Sequence, residues 1–194
     1  MGSYIDFLED KLGRIKRGWK GTEEEGIQIV QYGNEPFEGC SVYSTLGLSG
    51  YYMRGYKGGK EIRHELFMIS RNDFGEKNIP AILQQISQES IREKKAYMRG
   101  EYIKMKGEVF QGTKLTALYV SNPVYFEDDF WEYDNGKDVP IVNVWVFPIY
   151  EEEVSILDSE GWGYFEDKLE SEDPDLLDFN RGAVVSDFDE GTET

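Results

Sequence analysis

The sequence predicts an α/β fold of the α+β kind, a single domain with a central mixed, mostly antiparallel sheet covered by helices. Three observations predict it. The run Ile141-Val-Asn-Val-Trp-Val-Phe-Pro-Ile-Tyr150 is β-branched, aromatic or aliphatic almost throughout, whereas a strand with one wet face alternates apolar with polar. It reads as a central strand covered on both sides. Three further runs, Ile27–Tyr32, Cys40–Thr45 and Glu61–Ser70, have strand composition and are separated by turn chemistry such as Gly33-Asn34-Glu35-Pro36. Between Asn78 and Arg99 the apolar period lengthens, with Ile79, Ile82, Leu83, Ile86 and Ile91 on one stripe and Pro80 suited to a first helical turn.

The remaining elements follow in order. Ser3 and Asp6 form a capping box, and Tyr4, Ile5, Leu8, Leu12 and Ile15 fall at helical spacing, so the chain opens with a short amphipathic helix. The segment Gly13–Gly21 carries Arg14, Lys16, Arg17 and Lys20 around Trp19 and reads as a solvated, basic helix end. In Glu61–Ser70, Ile62, His64, Leu66 and Met68 share one face and Arg63, Glu65, Phe67 and Ile69 the other, in a strand antiparallel to its neighbours. Gly107–Phe110 and Leu115–Val120 read as strands around a Gln111-Gly112 turn. Ser121-Asn122-Pro123 breaks the second, Val124–Phe126 starts another, and Asp134-Asn135-Gly136 is a hairpin signal into the central strand. Pro148 lacks the N–H that a ladder needs, so regular pairing is expected to stop there. Glu151–Glu153 opens a solvated segment, and a helix is expected around Trp162–Leu169, ended by Asp173-Pro174-Asp175. One domain over residues 1–182 is expected, its first 20 residues a helix and basic linker, with 183–194 an acidic, flexible tail.

Charge narrows the function. Residues 1–126 hold 18 Lys/Arg and 16 Asp/Glu, net +2, while residues 127–194 hold 3 and 22, net −19, which together give the −17 of the whole chain. Such a C-terminal third repels phosphate and suits a basic protein partner, so no nucleic acid is expected. With neither an apolar run of membrane-spanning length nor a signal peptide, no membrane contact is expected, and the expected location is cytoplasmic. The lone Cys40 and lone His64 provide neither an internal disulfide nor a zinc or Cys/His nucleophile set, and no cofactor is expected.

Two places carry a functional reading. In Glu127-Asp-Asp-Phe-Trp-Glu-Tyr-Asp134, acids interleave with aromatics beside a hairpin turn. Glu127, Asp128, Asp129, Glu132 and Asp134 would steer a cationic partner, and Trp131 and Tyr133 would anchor it. The competing reading buries Phe130 and Trp131 and leaves the acids merely pointing outward. The segment lacks the alternating ligands and glycine of an EF-hand loop. A rival function of another class is a small hydrolase using His64, Glu65 and the tyrosine-bearing Gly47–Tyr56 loop. It requires one pocket that holds both side chains and a tyrosine hydroxyl.

The order of motifs resembles the suppressor of fused (SUFU-like) family in its short bacterial form. Tyr43-Ser-Thr-Leu-Gly-Leu-Ser49, His64-Glu-Leu-Phe-Met68, Ile79-Pro80 with its helix and Gly107-Glu-Val-Phe110 carry the first part. Val144-Trp-Val-Phe-Pro-Ile-Tyr150 with Glu151–Glu153, Gly161-Trp162, Phe165-Glu166 and Asp173-Pro-Asp-Leu-Leu-Asp-Phe-Asn-Arg181 carry the rest, over about residues 25–182. The resemblance implies a compact α/β domain that binds protein and performs no chemistry. It also implies an immunity protein (antitoxin) that neutralises a cognate secreted toxin, often a nuclease, or else a regulatory scaffold. The animal relative clamps a peptide with a second domain, which is not expected in this chain.

Overall fold

Residues Ile141–Tyr150 are the strand on which the sheet is built. The structure is a computed structural model and describes residues 3–21, 26–33, 37–55 and 59–185. Along the chain the elements are α1 (Tyr4–Leu12), β1 (Ile15–Lys20), β2 (Gln28–Tyr32), β3 (Cys40–Leu46), β4 (Met53–Arg54), β5 (Glu61–Arg71) and α2 (Ile79–Glu93). Then come β6 (Tyr102–Lys104), β7 (Leu115–Ser121), β8 (Glu132–Tyr133), β9 (Ile141–Tyr150), α3 (Glu151–Glu160) and α4 (Trp162–Glu172), with single 3-10 turns at Leu48–Gly50 and Asp128–Phe130. The strand order is β1-β2-β3-β5-β9-β7-β6, with β4 paired to the start of β5 and β8 to the start of β9. The result is a single α/β domain with a mixed, mostly antiparallel sheet.

Both faces of β9 are buried, as its run of apolar residues, interrupted only by Asn143, requires. Val144 and Val146, with Leu66 and Met68 of β5, pack under Ile79, Ile82, Leu83 and Ile86 of α2. Trp145, Phe147 and Ile149, with Phe67 and Ile69, pack under Leu8 and Leu12 of α1, Val154 and Leu157 of α3 and Phe165 of α4. Each such side chain contributes roughly 1.5–3 kcal/mol. The C-terminal segment wraps round the end of the sheet, placing Leu176 and Leu177 in the second core and Phe179 in the first, stacked on Phe110.

Several expectations change. The basic run is the edge strand β1, antiparallel to β2, in place of a helix end and linker. Lysines on such an edge discourage further pairing. β5 is antiparallel to β3 but parallel to β9, with Phe67 opposite Trp145, and the crossover uses residues 72–140. Pairing of β9 with β7 runs through Pro148, opposite Leu118, to Tyr150. The pairing with β5 stops earlier, at Trp145, and the Pro148 carbonyl instead accepts from Arg181 (3.4 Å) on that open side. A proline there deprives no neighbour of a donor. Residues 107–110 are irregular chain and 124–126 a turn in place of strands, and β6, unforeseen, pairs with β7. α2 stops at Glu93 because Lys94 turns left-handed (φ 51°). Glu151–Glu153 is the first turn of α3, separated from α4 by Gly161 at φ 86°. Within the expected tail, Val184 is buried, while residues 186–194 lie outside the described residues, as do 34–36 of the Gly33–Pro36 turn.

Candidate protein-binding surface

Between β7 and β9 the chain crosses the end of the α1 face, and Asn143 fixes its path. Asn143 is 1 % exposed on β9; its backbone N–H and side-chain amide donate to the carbonyls of Trp131 (2.9 Å) and Phe130 (2.6 Å), and its side-chain oxygen accepts from the Tyr4 hydroxyl (2.6 Å). Phe130 is wholly buried, stacked on Phe126 (4.1 Å) and edge-on to Phe67 (5.3 Å). The Tyr133 ring lies against Tyr4 and Phe7 of α1 at 5.4 and 5.2 Å. Trp131 is half-buried, and its indole N–H is enclosed without a hydrogen-bond partner.

The aromatics of this segment therefore face inward and the acids outward. Asp129 is held by Lys11 of α1 (2.6 and 2.8 Å), which raises the Lys11 pKa from its ordinary value, and Asp134 accepts the Gly136 N–H of the hairpin turn (2.7 Å). Glu127, Asp128 and Glu132 are left pointing to solvent, Glu127 on the fringe of Lys11 at 3.9 Å. The apolar side chains that do reach solvent come just before, at Val124 (55 % exposed) and Tyr125 (39 %). Their hydrophobic character reads as a strand in the sequence. Pro123 and the tight turn that closes with the Phe126 N–H on the Pro123 carbonyl (3.0 Å) carry them outward instead.

Val124 and Tyr125 form one wall of a cleft of about 340 Å³. Its floor is Tyr119, Trp145 and Phe147 on β7 and β9, and the far wall is Glu166, Leu169, Glu170 and Asp173 at the end of α4. Tyr125 lies edge-on to Trp145 (5.2 Å), whose indole N–H is buried without a partner. At the mouth, Arg99 pairs with Glu166, which also accepts from the Tyr119 hydroxyl (2.9 Å), and lies over the exposed ring of Trp162 (5.2 Å). Gly100 allows this approach: a Cβ there, at φ 90°, would meet the Trp162 ring at 2.7 Å.

His64 and Glu65 do not form the hydrolase site. As consecutive residues of β5 they leave the strand on opposite faces, so one pocket does not hold both. His64 is buried edge-on to Tyr97 (6.3 Å), neither ring nitrogen is hydrogen-bonded among the described residues, and burial lowers its pKa to about 4. Glu65 accepts from Thr45 Oγ1 (2.5 Å), the Gly47 and Ser49 N–H groups (2.9 Å each) and Ser49 Oγ (2.6 Å), which ties the 3-10 turn to the sheet. Burial raises its pKa against the pull of those bonds. Tyr56 of that loop lies outside the described residues. Among the described residues no three His, Cys, Asp or Glu side chains are grouped to hold a metal ion. No helix among them is long and apolar enough to cross a membrane.

Comparison with known proteins places this architecture. "Immunity protein YqcF" of Bacillus subtilis (strain 168) is 25 % identical over 177 residues, covering 89 % of this chain and 88 % of that one. The crystal structure of a putative SUFU homolog from Neisseria gonorrhoeae FA 1090 is similar with a TM-score of 0.76 at 18 % identity, over 94 % of both chains. A chain of the Sufu-Fu complex is similar with a TM-score of 0.68 at 13 % identity, over 93 % of this chain and 90 % of that one. Drosophila Suppressor of Fused gives 0.55 at 16 % identity, and there 81 % of this chain spans 42 % of the other. The family model described as Suppressor of fused protein (SUFU) matches residues 23–182, and the chain belongs to that family.

Proposed function

We propose that the protein is an immunity protein, which binds a cognate secreted toxin in the cytoplasm of the producing cell and masks its basic, substrate-holding surface. The observation that carries this reading is the near end-to-end similarity to a protein named for immunity. The exposed Glu127, Asp128 and Glu132 support it physically, because a nuclease must be basic to hold its substrate and carboxylates can occupy that surface in place of phosphate. The binding surface in this reading keeps the acids of the 127–134 segment. It gives its aromatics, Trp131 and Tyr133, the task of holding the backbone that carries them. The reading requires no reaction of the protein's own. A scaffold that binds a basic protein other than a toxin would use the same surface.

Co-expression with a candidate cognate toxin, sought among the neighbouring genes, tests the reading. Replacing Glu127, Asp128 and Glu132 together by Lys is expected to leave the fold intact, since all three face solvent. Protection is expected to fall by about a hundredfold in surviving cells, as like charges at an interface cost several kcal/mol. Undiminished protection by a folded triple variant removes the acidic surface from the interface. Absence of protection by the unaltered chain leaves the scaffold.

A further inference from the structure

We infer that the cleft between Tyr125 and α4 is the anchor site of the interface. It takes one large apolar side chain from an extended segment of the partner protein, in which that side chain is flanked by Lys or Arg. This deepens the reading above and rests on it. The accessible apolar lining is Val124, Tyr125 and Leu169 over the buried rings of Tyr119, Trp145 and Phe147, and the cleft has room for a large side chain but not for a folded element. Around its mouth, Val124, Tyr125 and Trp162 are 55 %, 39 % and 48 % exposed, a grouping of solvent-facing apolar surface that marks contact sites.

Charge selects the flanks of the occupant. Arg99, the cation at the mouth, is paired with Glu166, and Lys168 on the same helix is paired with Glu172 (2.7 Å). Glu170 and Asp173 enter no ion pair among the described residues, and both are exposed at the α4 wall. Beyond the opposite wall, Glu127 and Asp128 follow Tyr125 within three residues in the chain and are exposed, Glu127 at 3.9 Å from Lys11. An apolar side chain entering the cleft thus has exposed carboxylates to either side, Glu170 and Asp173 on one and Asp128 beyond the turn on the other, which welcome cations and repel an acidic segment. The cleft is also continuous with the proposed acidic surface through the 124–128 turn.

The test is a titration of the ¹⁵N-labelled full chain with a capped peptide of lysines and serines that has one central phenylalanine. Saturable shifts are expected at the Trp145 indole N–H and at the amides of Val124, Tyr125 and Leu169. Replacing the phenylalanine by serine, or exchanging the lysines for glutamates, is expected to weaken binding at least about tenfold. The same weakening is expected from Val124→Asp and from Glu170→Lys with Asp173→Asn, and asparagine tolerates the left-handed backbone at that position (φ 47°). Equal binding of the serine control, shifts that leave Trp145 unmoved, or indifference to Val124→Asp each overturns the inference. Measured against the toxin, the two ideas separate. Protection lost with the triple Lys variant but kept with Val124→Asp sinks the anchor site and spares the immunity reading. Peptide binding that behaves as expected beside a triple variant that still protects spares the anchor site and sinks the acidic mask.

Discussion

His64 sits at 0 % exposure with both ring nitrogens unbonded, and the consequence is a pH-dependent stability. In the folded chain burial lowers its pKa to about 4, while the unfolded chain titrates near 6.5. As pH falls below 6.5 the unfolded state takes up a proton that the folded state refuses. The stability held above pH 6.5 is therefore lost progressively down to about pH 4, by about 3 kcal/mol in all. Glu65 acts in the opposite sense: its raised pKa favours the folded state as pH falls through that value. His64→Leu keeps the site apolar and removes the proton. Urea unfolding between pH 7 and pH 4 is expected to show a flatter dependence for that variant than for the unaltered chain, whatever its absolute stability. An identical slope would assign the acid sensitivity elsewhere. The sequence shows a single histidine on an apolar face, enough to read it as structural. It does not show that the ring lacks a partner, because that depends on Tyr97 and β9, which come from distant parts of the chain.

At the scale of elements, the C-terminal segment is fastened to the start of α3 by one buried ion pair. Glu153, 0 % exposed, receives both guanidinium nitrogens of Arg181 (2.6 and 3.0 Å) and the N–H groups of Tyr150 (2.8 Å) and Val184 (3.0 Å). Arg181 in turn lies over the Tyr150 ring (5.4 Å), and the Tyr150 hydroxyl donates to the Arg181 carbonyl. Removing one partner of such a pair strands the other charge in the core. Glu153→Ala is expected to cost about 3–5 kcal/mol in chemical denaturation, and Arg181→Ala a similar amount, with a double variant well short of their sum. Glu151→Ala, two residues away, breaks only exposed contacts, the pair with Lys104 and a hydrogen bond from the Thr116 hydroxyl (3.1 Å), and is expected to change little. The sequence presents Glu151, Glu152 and Glu153 as one solvated triplet, since three adjacent acids are equivalent until a helix turns one of them inward. Elements with a local signature were legible: β9 from its apolar run, α2 from its stripe, and α1 from Ser3 and Asp6, whose reciprocal cap bonds are present at 3.2 and 2.7 Å. Elements defined by partners far along the chain were not. The parallel β5–β9 pairing is one, the edge role of the Lys16–Lys20 run another, and the outward turn of Val124 and Tyr125 a third.

For the whole molecule, the charge separation between residues 1–126 (net +2) and 127–194 (net −19) would make the proposed binding a matter of both rate and residence. A field of one sign acts over the distance at which partners first meet, so it speeds encounter and orients it. The proposed anchor cleft would act only on contact and so lengthen the bound state. The two respond differently to salt. Raising ionic strength from about 0.1 M to about 1 M shortens the Debye length from roughly 10 to roughly 3 Å, which screens the approach of a basic partner to Glu127, Asp128 and Glu132 but leaves an apolar anchor in place. Stopped-flow association with the cognate toxin is therefore expected to slow by about ten- to a hundredfold over that range, while dissociation changes far less. In the triple Lys variant the association rate is expected to be low at all salt concentrations and nearly flat. In Val124→Asp the salt slope is expected to survive, with faster dissociation. An association rate indifferent to salt in the unaltered protein would mean that the negative field has no part in recognition and serves only to keep molecules of the protein apart.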